Sequence, residues 1–209
     1  MNRCADDGRL WRIWAITKYA VGAFDSALSA MEHASSLVPL AFDDHRLLAN
    51  CYVRTGRLQH AKVVYSQLLE DPACPNELLA EISAGFGLVG DYRSALKVCR
   101  LASQREPARP EPLFGMVYYL RRLGCPAKVA IPMMTRAFQL DPNCSLYRSS
   151  LAFLLNEVGR GEEAYDLLRE MPVREATCVC QVRRMMAIFQ SAGDYECWRV
   201  CRQRLDQLS

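Results

Sequence analysis

The densest potential chemistry in this sequence is sulfur near its C-terminal end. Cys178-x-Cys180 and Cys197-x3-Cys201 would supply four thiols, the second pair one helical turn apart on a single face, and four thiolates are a tetrahedral zinc donor set. The Cys-x-Cys spacing is tighter than that of ordinary zinc knuckles, and the two pairs would have to meet across two helices. The chain carries ten cysteines in all. In a reducing compartment they serve as small buried apolar side chains. The reading is therefore no metal, with Cys178, Cys180, Cys197 and Cys201 kept as the one alternative ligand set. His33, His45 and His60 are scattered and sit at no metal-ligand spacing. Asp43-Asp44-His45 looks like an acid–base cluster, but two carboxylates at the head of an apolar-periodic run suit the first turn of a helix, where they face its positive end. No phosphate-cradling glycine loop and no nucleophile elbow occurs. The expectation is a protein without catalysis and without a cofactor.

Composition narrows the class further. The 209 residues are 51% hydrophobic and 23% charged, enough for one large domain or two small ones and too apolar for a disordered chain. A net charge of +3 is too mild to point to nucleic acid. Apolar runs such as Leu37 to Phe42 are far too short to cross a bilayer, so no membrane insertion is expected. The opening Met1-Asn2-Arg3-Cys4-Ala5-Asp6-Asp7 has no apolar h-region, which gives a cytoplasmic location as the expectation. The 26 basic residues include only four lysines, Lys18, Lys62, Lys97 and Lys128, leaving arginine as the dominant cation. A GC-rich genome explains such a skew first; arginine also makes planar, two-bond contacts with carboxylates.

The elements that must position any site follow from a repeat. Gly22, Gly56, Gly90, Gly124, Gly159 and Gly193 are separated by 34, 34, 34, 35 and 34 residues. Gly22-Ala-Phe24-Asp-Ser-Ala27, Gly56-Arg-Leu58-Gln-His-Ala61 and Gly90-Asp-Tyr92-Arg-Ser-Ala95 share a large apolar residue two positions on and an alanine five positions on. Gly159-Arg-Gly161-Glu-Glu-Ala164 keeps the alanine, and Gly193-Asp-Tyr195-Glu-Cys-Trp198 keeps the aromatic. Pro39, Pro72, Pro107 and Pro142 close the first four units. Glycine tolerates the left-handed backbone that turns one helix into the next, alanine lets two helices approach closely, and proline ends the second helix. Apolar residues between these marks have helical spacing, as in Leu47, Leu48, Cys51 and Tyr52, then Ala61, Val64, Tyr65, Leu68 and Leu69. The unit is a helical hairpin.

Trp11, Trp14 and Ala15; Ala49, Tyr52, Gly56, Ala61 and Tyr65; Phe86, Gly90, Tyr92, Ala95, Ala102 and Pro107; and Ala130, Ala137 and Pro142 follow one pattern across nearly the entire chain. It resembles the tetratricopeptide repeat family. The resemblance implies an all-α, right-handed α-solenoid of about six hairpins, starting near residues 8, 42, 76, 110, 145 and 179, as a single domain over 1–209 with the helix 194–208 as a C-terminal cap. Three departures carry expectations. Unit four inserts a residue at Gly124-Cys125-Pro126-Ala127 and places Pro132 early in its second helix, which predicts a kink or a late start. Unit five ends early at Met171-Pro172, which predicts an irregular, flexible seam over Val173 to Cys178. Unit six replaces the small alanine with Trp198, which suits the end of an array, with Trp198, Cys201, Leu205 and Leu208 folding back and Arg199, Arg202, Gln203, Arg204 and Gln207 as a polar cap. Self-association through this C-terminal end is a further expectation.

The resemblance also implies a concave groove lined by the first helix of each hairpin, binding an extended peptide or an amphipathic helix of another protein. Phasing the units places Arg12 and Tyr19 in that groove with Arg9 and Ile16; Arg46, Asn50 and Arg54 with Val53; and Phe114, Tyr118, Arg121 and Arg122. Unit five adds Phe153 with Ser149 and Asn156, and unit six adds Arg183. Arginine and aromatic side chains are the types that dominate interface energies. The carboxylate clamp of chaperone-binding relatives is absent, because Arg46 and Asn50 are followed by Ala84 and then by Glu111 and Gly115. Two functions follow from the resemblance: an adaptor or scaffold with a protein partner, or a dedicated cytosolic chaperone for a bacterial type III secretion client or export component. RNA binding is disfavoured by the mild charge.

Overall fold

The computed structural model describes residues 7–176 and 178–208. Helices α1 (Gly8–Ala20), α2 (Phe24–Leu37), α3 (Phe42–Arg54), α4 (Leu58–Glu70), α5 (Asn76–Leu88) and α6 (Tyr92–Arg105) form one compact unit, Met1–Arg105. Helices α7 (Glu111–Arg122), α8 (Ala127–Leu140), α9 (Ser145–Glu157), α10 (Gly161–Leu168), α11 (Val179–Ser191) and α12 (Tyr195–Leu208) form a second, Glu106–Ser209. Each unit is three helical hairpins. Within a unit, every second helix packs on its own first helix and on the first helix of the hairpin that follows.

The glycine period does what its chemistry requires. All six repeat glycines have φ between 75° and 82°, and each turn closes in the same way. In the first, Gly22 N–H donates to the Tyr19 carbonyl at 3.0 Å and Ala23 N–H to the Lys18 carbonyl at 2.9 Å. These bonds satisfy carbonyls that the end of α1 would otherwise leave open. The equivalent long closures run from Arg57, Asp91, Cys125, Arg160 and Asp194 to Tyr52, Phe86, Leu120, Leu155 and Phe189. Five residues past the glycine, or six where unit four carries its insertion, stand Ala27, Ala61, Ala95, Ala130 and Ala164, all fully buried. A side chain larger than a methyl group there would push the paired helices apart.

Two expectations change in the structure. Pro132 neither delays nor breaks α8, which starts on time at Ala127 and runs through the proline. The inserted residue is absorbed in the turn, where the Cys125 carbonyl accepts a 2.6 Å bond from Arg121. The join after α10 is irregular, as its early Met171-Pro172 ending suggests, but it is held. A single 3-10 turn, Val173–Glu175, buries Val173 and Ala176, and Arg204 of α12 donates to the Arg174 and Ala176 carbonyls at 3.4 and 3.2 Å. Trp198 folds back along one face of α12, as expected for the end of the array. With Cys197, Leu205 and Leu208 it packs on the core of the second unit, where Cys201 is fully buried.

Candidate partner-binding site

In the first unit, five of the predicted groove residues, Arg12, Tyr19, Arg46, Asn50 and Arg54, have partners within the chain. Arg12 of α1 reaches across to α3 and pairs with Asp44 at 2.7 Å. The same Asp44 oxygen accepts the Ala41 N–H at 3.0 Å, so this carboxylate both caps α3 and ties it to α1. Asp43-Asp44-His45 is thus a helix start, as its position suggests. Arg46 of α3 pairs with Glu81 of α5 at 2.6 Å and with Asp43 at 3.3 Å. Burial works against the Arg46 charge, but Glu81 and Asp43 outweigh it and raise its pKa. The Asn50 Oδ1 accepts a 2.7 Å bond from the Tyr65 hydroxyl. The Arg54 guanidinium lies 4.4 Å over the Phe24 ring, and Tyr19 meets the edge of that ring at 5.3 Å. These residues tie the helices of the first unit to one another, Arg12 and Arg46 across successive hairpins and the others between consecutive helices.

The second unit is different. Phe114, Tyr118, Arg121 and Arg122 of α7 and Phe153 of α9 converge on one cavity of about 660 Å³, and α11 adds Arg184. The first helices of three successive hairpins supply every wall. Tyr118 is half exposed and stands edge-on to Tyr119 at 5.1 Å. Phe114 leans on Tyr147 at 5.6 Å, and burial pushes the Tyr147 hydroxyl up to about 12, so that residue stays neutral. Arg121 is anchored by Glu157 at 2.6 Å as well as by the Cys125 carbonyl. Arg184 lies 5.4 Å over Phe153. Three arginines against one glutamate give the lining a positive balance around an aromatic floor. Such a surface can hold a carboxylate by paired N–H bonds while an apolar side chain packs on the rings.

Residue phasing placed Arg183 in the groove and passed over Arg184. The signal was present, because Arg184 lies 34 residues after Ser150, another wall residue. The irregular join before α11 obscured the count. Ser149 is not a groove residue. It is fully buried and accepts a 2.9 Å bond from the Gln181 side chain.

The cysteines do not converge. Cys178 and Cys180 are exposed, whereas Cys197 is half buried and Cys201 is inside the core. Burial pushes the Cys197 and Cys201 thiols up to about 11 and about 12, away from the thiolate a metal needs. Among the described residues no group of three or more histidine, cysteine or acidic side chains stands close enough to hold a metal ion. Nor is any helix among them long and apolar enough to cross a membrane.

Among the described residues, twelve α-helices paired in order through glycine turns, with alanines at the close contacts, form a repeat of helical hairpins, and comparison with solved structures gives the tetratricopeptide-repeat fold. A tetratricopeptide repeat protein from Parabacteroides merdae superposes with a TM-score of 0.76 at 15% identity, covering 97% of this chain and 80% of that one. The pilF structure from Pseudomonas aeruginosa gives 0.70 at 16% identity, covering 96% and 91%. MamA from Desulfovibrio magneticus gives 0.66 at 16% identity, covering 78% and 92%. No family model matches the chain. In sequence it is similar to a pentatricopeptide repeat-containing protein, At1g20230 of Arabidopsis thaliana, at 23% identity over 169 residues. That match takes in 73% of this chain, which spans about a fifth of the length of the curated relative, 21%.

Proposed function

We propose that this protein is a non-catalytic adaptor that holds a segment of a partner protein, and that the segment lies in the cavity walled by α7, α9 and α11. The observation that carries this reading is the meeting of Phe114, Tyr118 and Phe153 with Arg121, Arg122 and Arg184 on one surface hollow. The fitting ligand is an extended peptide or one face of an amphipathic helix that presents a carboxylate next to a large apolar side chain. Aromatic and arginine anchors in a recessed patch are the usual seat of binding energy. The first-unit arginines serve chiefly to join helices.

The test is affinity capture from host lysate with mass spectrometry, using wild type beside Tyr118→Ala and Arg122→Glu. Arg121 is left intact because changing it would also break its bonds to Glu157 and the Cys125 carbonyl. The expected result is a protein partner held by wild type and lost by the variants, with circular dichroism and melting unchanged. One client at fixed stoichiometry marks a dedicated chaperone, and several peptides bound reversibly mark a general adaptor. Equal retention by all three proteins, or nucleic acid as the captured species, refutes the site.

A further inference from the structure

The aromatic cavity continues past its own floor. Asn156 of α9 and Ile188 of α11 wall it, and the same two residues wall a second hollow of about 680 Å³. The two hollows therefore adjoin along one seam between the fifth and sixth hairpins. Register gives their order. The first takes Phe153 of α9 with Arg184 and Ala187 of α11, and the second takes Gly159, just past α9, with Ser191 and Ala192 at the end of α11. The seam thus runs from the first hollow to the second in the N- to C-terminal direction of both helices.

The charge reverses along it. The first hollow carries Arg121, Arg122 and Arg184 against Glu157. The second carries Glu162 and Asp166, one turn apart on α10 and both exposed, and among the described residues its lining has no arginine, lysine or histidine. The remaining acid of this stretch, Glu163, is taken by Arg160 at 2.6 Å. Asp166 shares its charge with Arg169 at 3.5 Å, whereas Glu162 stands at the hollow with no cation of the lining beside it.

We infer that the bound segment is itself dipolar, with an acidic and a large apolar side chain in the first hollow and a lysine or arginine in the second. The inference rests on the proposed partner site and adds what its ligand must carry at one end. Charge complementarity selects this occupant. A segment acidic throughout would set carboxylates against Glu162 and Asp166, and a basic one would meet three arginines. Spacing follows from the helix beneath. Arg184 and Ser191 are seven residues apart on α11, about 10 Å at 1.5 Å per residue. The ligand's acid and base are then about three residues apart if it is extended, at about 3.3 Å per residue, or about seven apart, two turns, if it is helical.

Selection of phage-displayed random dodecapeptides on the immobilised whole chain tests the inference. Wild type is expected to enrich peptides with Asp or Glu next to a large apolar residue and Lys or Arg at one of the two spacings. Glu162→Gln/Asp166→Asn should keep the acidic–apolar half and lose the preference for a base, with circular dichroism unchanged, since both positions are exposed. By fluorescence anisotropy, a labelled enriched peptide should bind this variant about fivefold more weakly than wild type, the range of exposed ion pairs, and the same peptide with its base replaced by glutamine should bind both proteins alike. Glu162→Gln alone leaves the Asp166–Arg169 pair in place and should shift binding in the same direction. Enriched peptides without a base at either spacing, or an enriched peptide bound equally by wild type and the double variant, overturn the dipolar ligand; loss of that binding in Tyr118→Ala then shows that the cavity itself stands. No enrichment, or enrichment indifferent to Tyr118→Ala, overturns the partner site and the inference together.

Discussion

Gly85 lies inside α5 near its C-terminal end, and glycine within a helix weakens it by about 1 kcal/mol relative to alanine. Its reason for being there is Tyr65. A methyl group built on Gly85 would fall inside the van der Waals envelope of the Tyr65 ring and hydroxyl. That ring is fully buried, leans on Phe86 at 5.7 Å and donates to Asn50 at 2.7 Å, so it has nowhere to retreat without loss. Gly85→Ala must displace it. Overpacking of this kind costs about 1–3 kcal/mol, and a buried hydroxyl left without its acceptor costs about 1–3 kcal/mol more. Against this stands the helix gain of about 1 kcal/mol, giving a net destabilisation near 3 kcal/mol, on the order of a third of an ordinary domain's stability. Urea unfolding followed by circular dichroism reads the effect directly. A Tyr65→Leu background supplies the control, because with the ring gone Gly85→Ala should become neutral or mildly stabilising. Wild-type stability in Gly85→Ala, or the same loss in both backgrounds, would refute the steric account.

Gly161 gives the opposite sign: its added methyl group meets only the Asn156 side chain at 3.8 Å and its backbone is not left-handed, so Gly161→Ala should stabilise by about 0.5–1 kcal/mol in the same assay. Asp91 accepts from Ser94 N–H at 3.1 Å at the start of α6 and pairs with Lys62 at 2.6 Å; burial pushes its pKa up, but the Lys62 and Ser94 hydrogen bonds outweigh this and hold it below the usual carboxylate value. Its contribution is therefore complete above the unfolded value of about 3.9 and lost as pH falls through the lower folded value, so the melting advantage of wild type over Asp91→Ala, about 1 kcal/mol at neutral pH, should shrink below about pH 4. Iodoacetamide at pH 8 should label exposed Cys178 and Cys180 first, and should reach Cys51 and Cys201, pushed by burial up to about 11 and about 12, only after unfolding, as peptide mapping would show.

What the sequence made legible is what repeats. Glycines at a fixed period and alanines at a fixed offset have one mechanical meaning each, so helix pairing and turn positions follow from spacing, and the starts of the hairpins from the family resemblance that this spacing carries. What it hid is what occurs once. Pro132 reads as a breaker because proline usually is one, yet α8 carries it. The seam after Pro172 reads as loose because the period fails there, yet Val173, Ala176 and Arg204 fix it through contacts from another helix. Groove position is legible only to within a register step, so Arg184 was displaced by its neighbour Arg183. No spacing rule reports that Arg46 has Glu81 as a partner 35 residues on, since either residue alone reads as a solvated charge.

Those partners bear on how a repeat of this kind separates holding itself together from holding something else. The apolar contacts of its hairpins are built from the same small residues at the same offsets, and such contacts discriminate little between one stacking register and the next. Arg12 to Asp44, Arg46 to Glu81 and Arg121 to Glu157 each link a first helix to the first helix of the following hairpin. Exposed ion pairs contribute little to stability, so the last two matter less as energy than as a geometric constraint. Asp44 is the exception, buried and accepting from two elements at once. In the first unit Arg12 and Arg46 are thereby paired with acids of their own chain. In the second unit the cavity lining holds Arg121, Arg122 and Arg184 beside Tyr118 and Phe153, with Glu157 as its one carboxylate. Two units built to one plan thus differ in the ratio of acid to arginine on their inner helices, and that ratio, rather than the repeat itself, is the basis for placing the partner on the second.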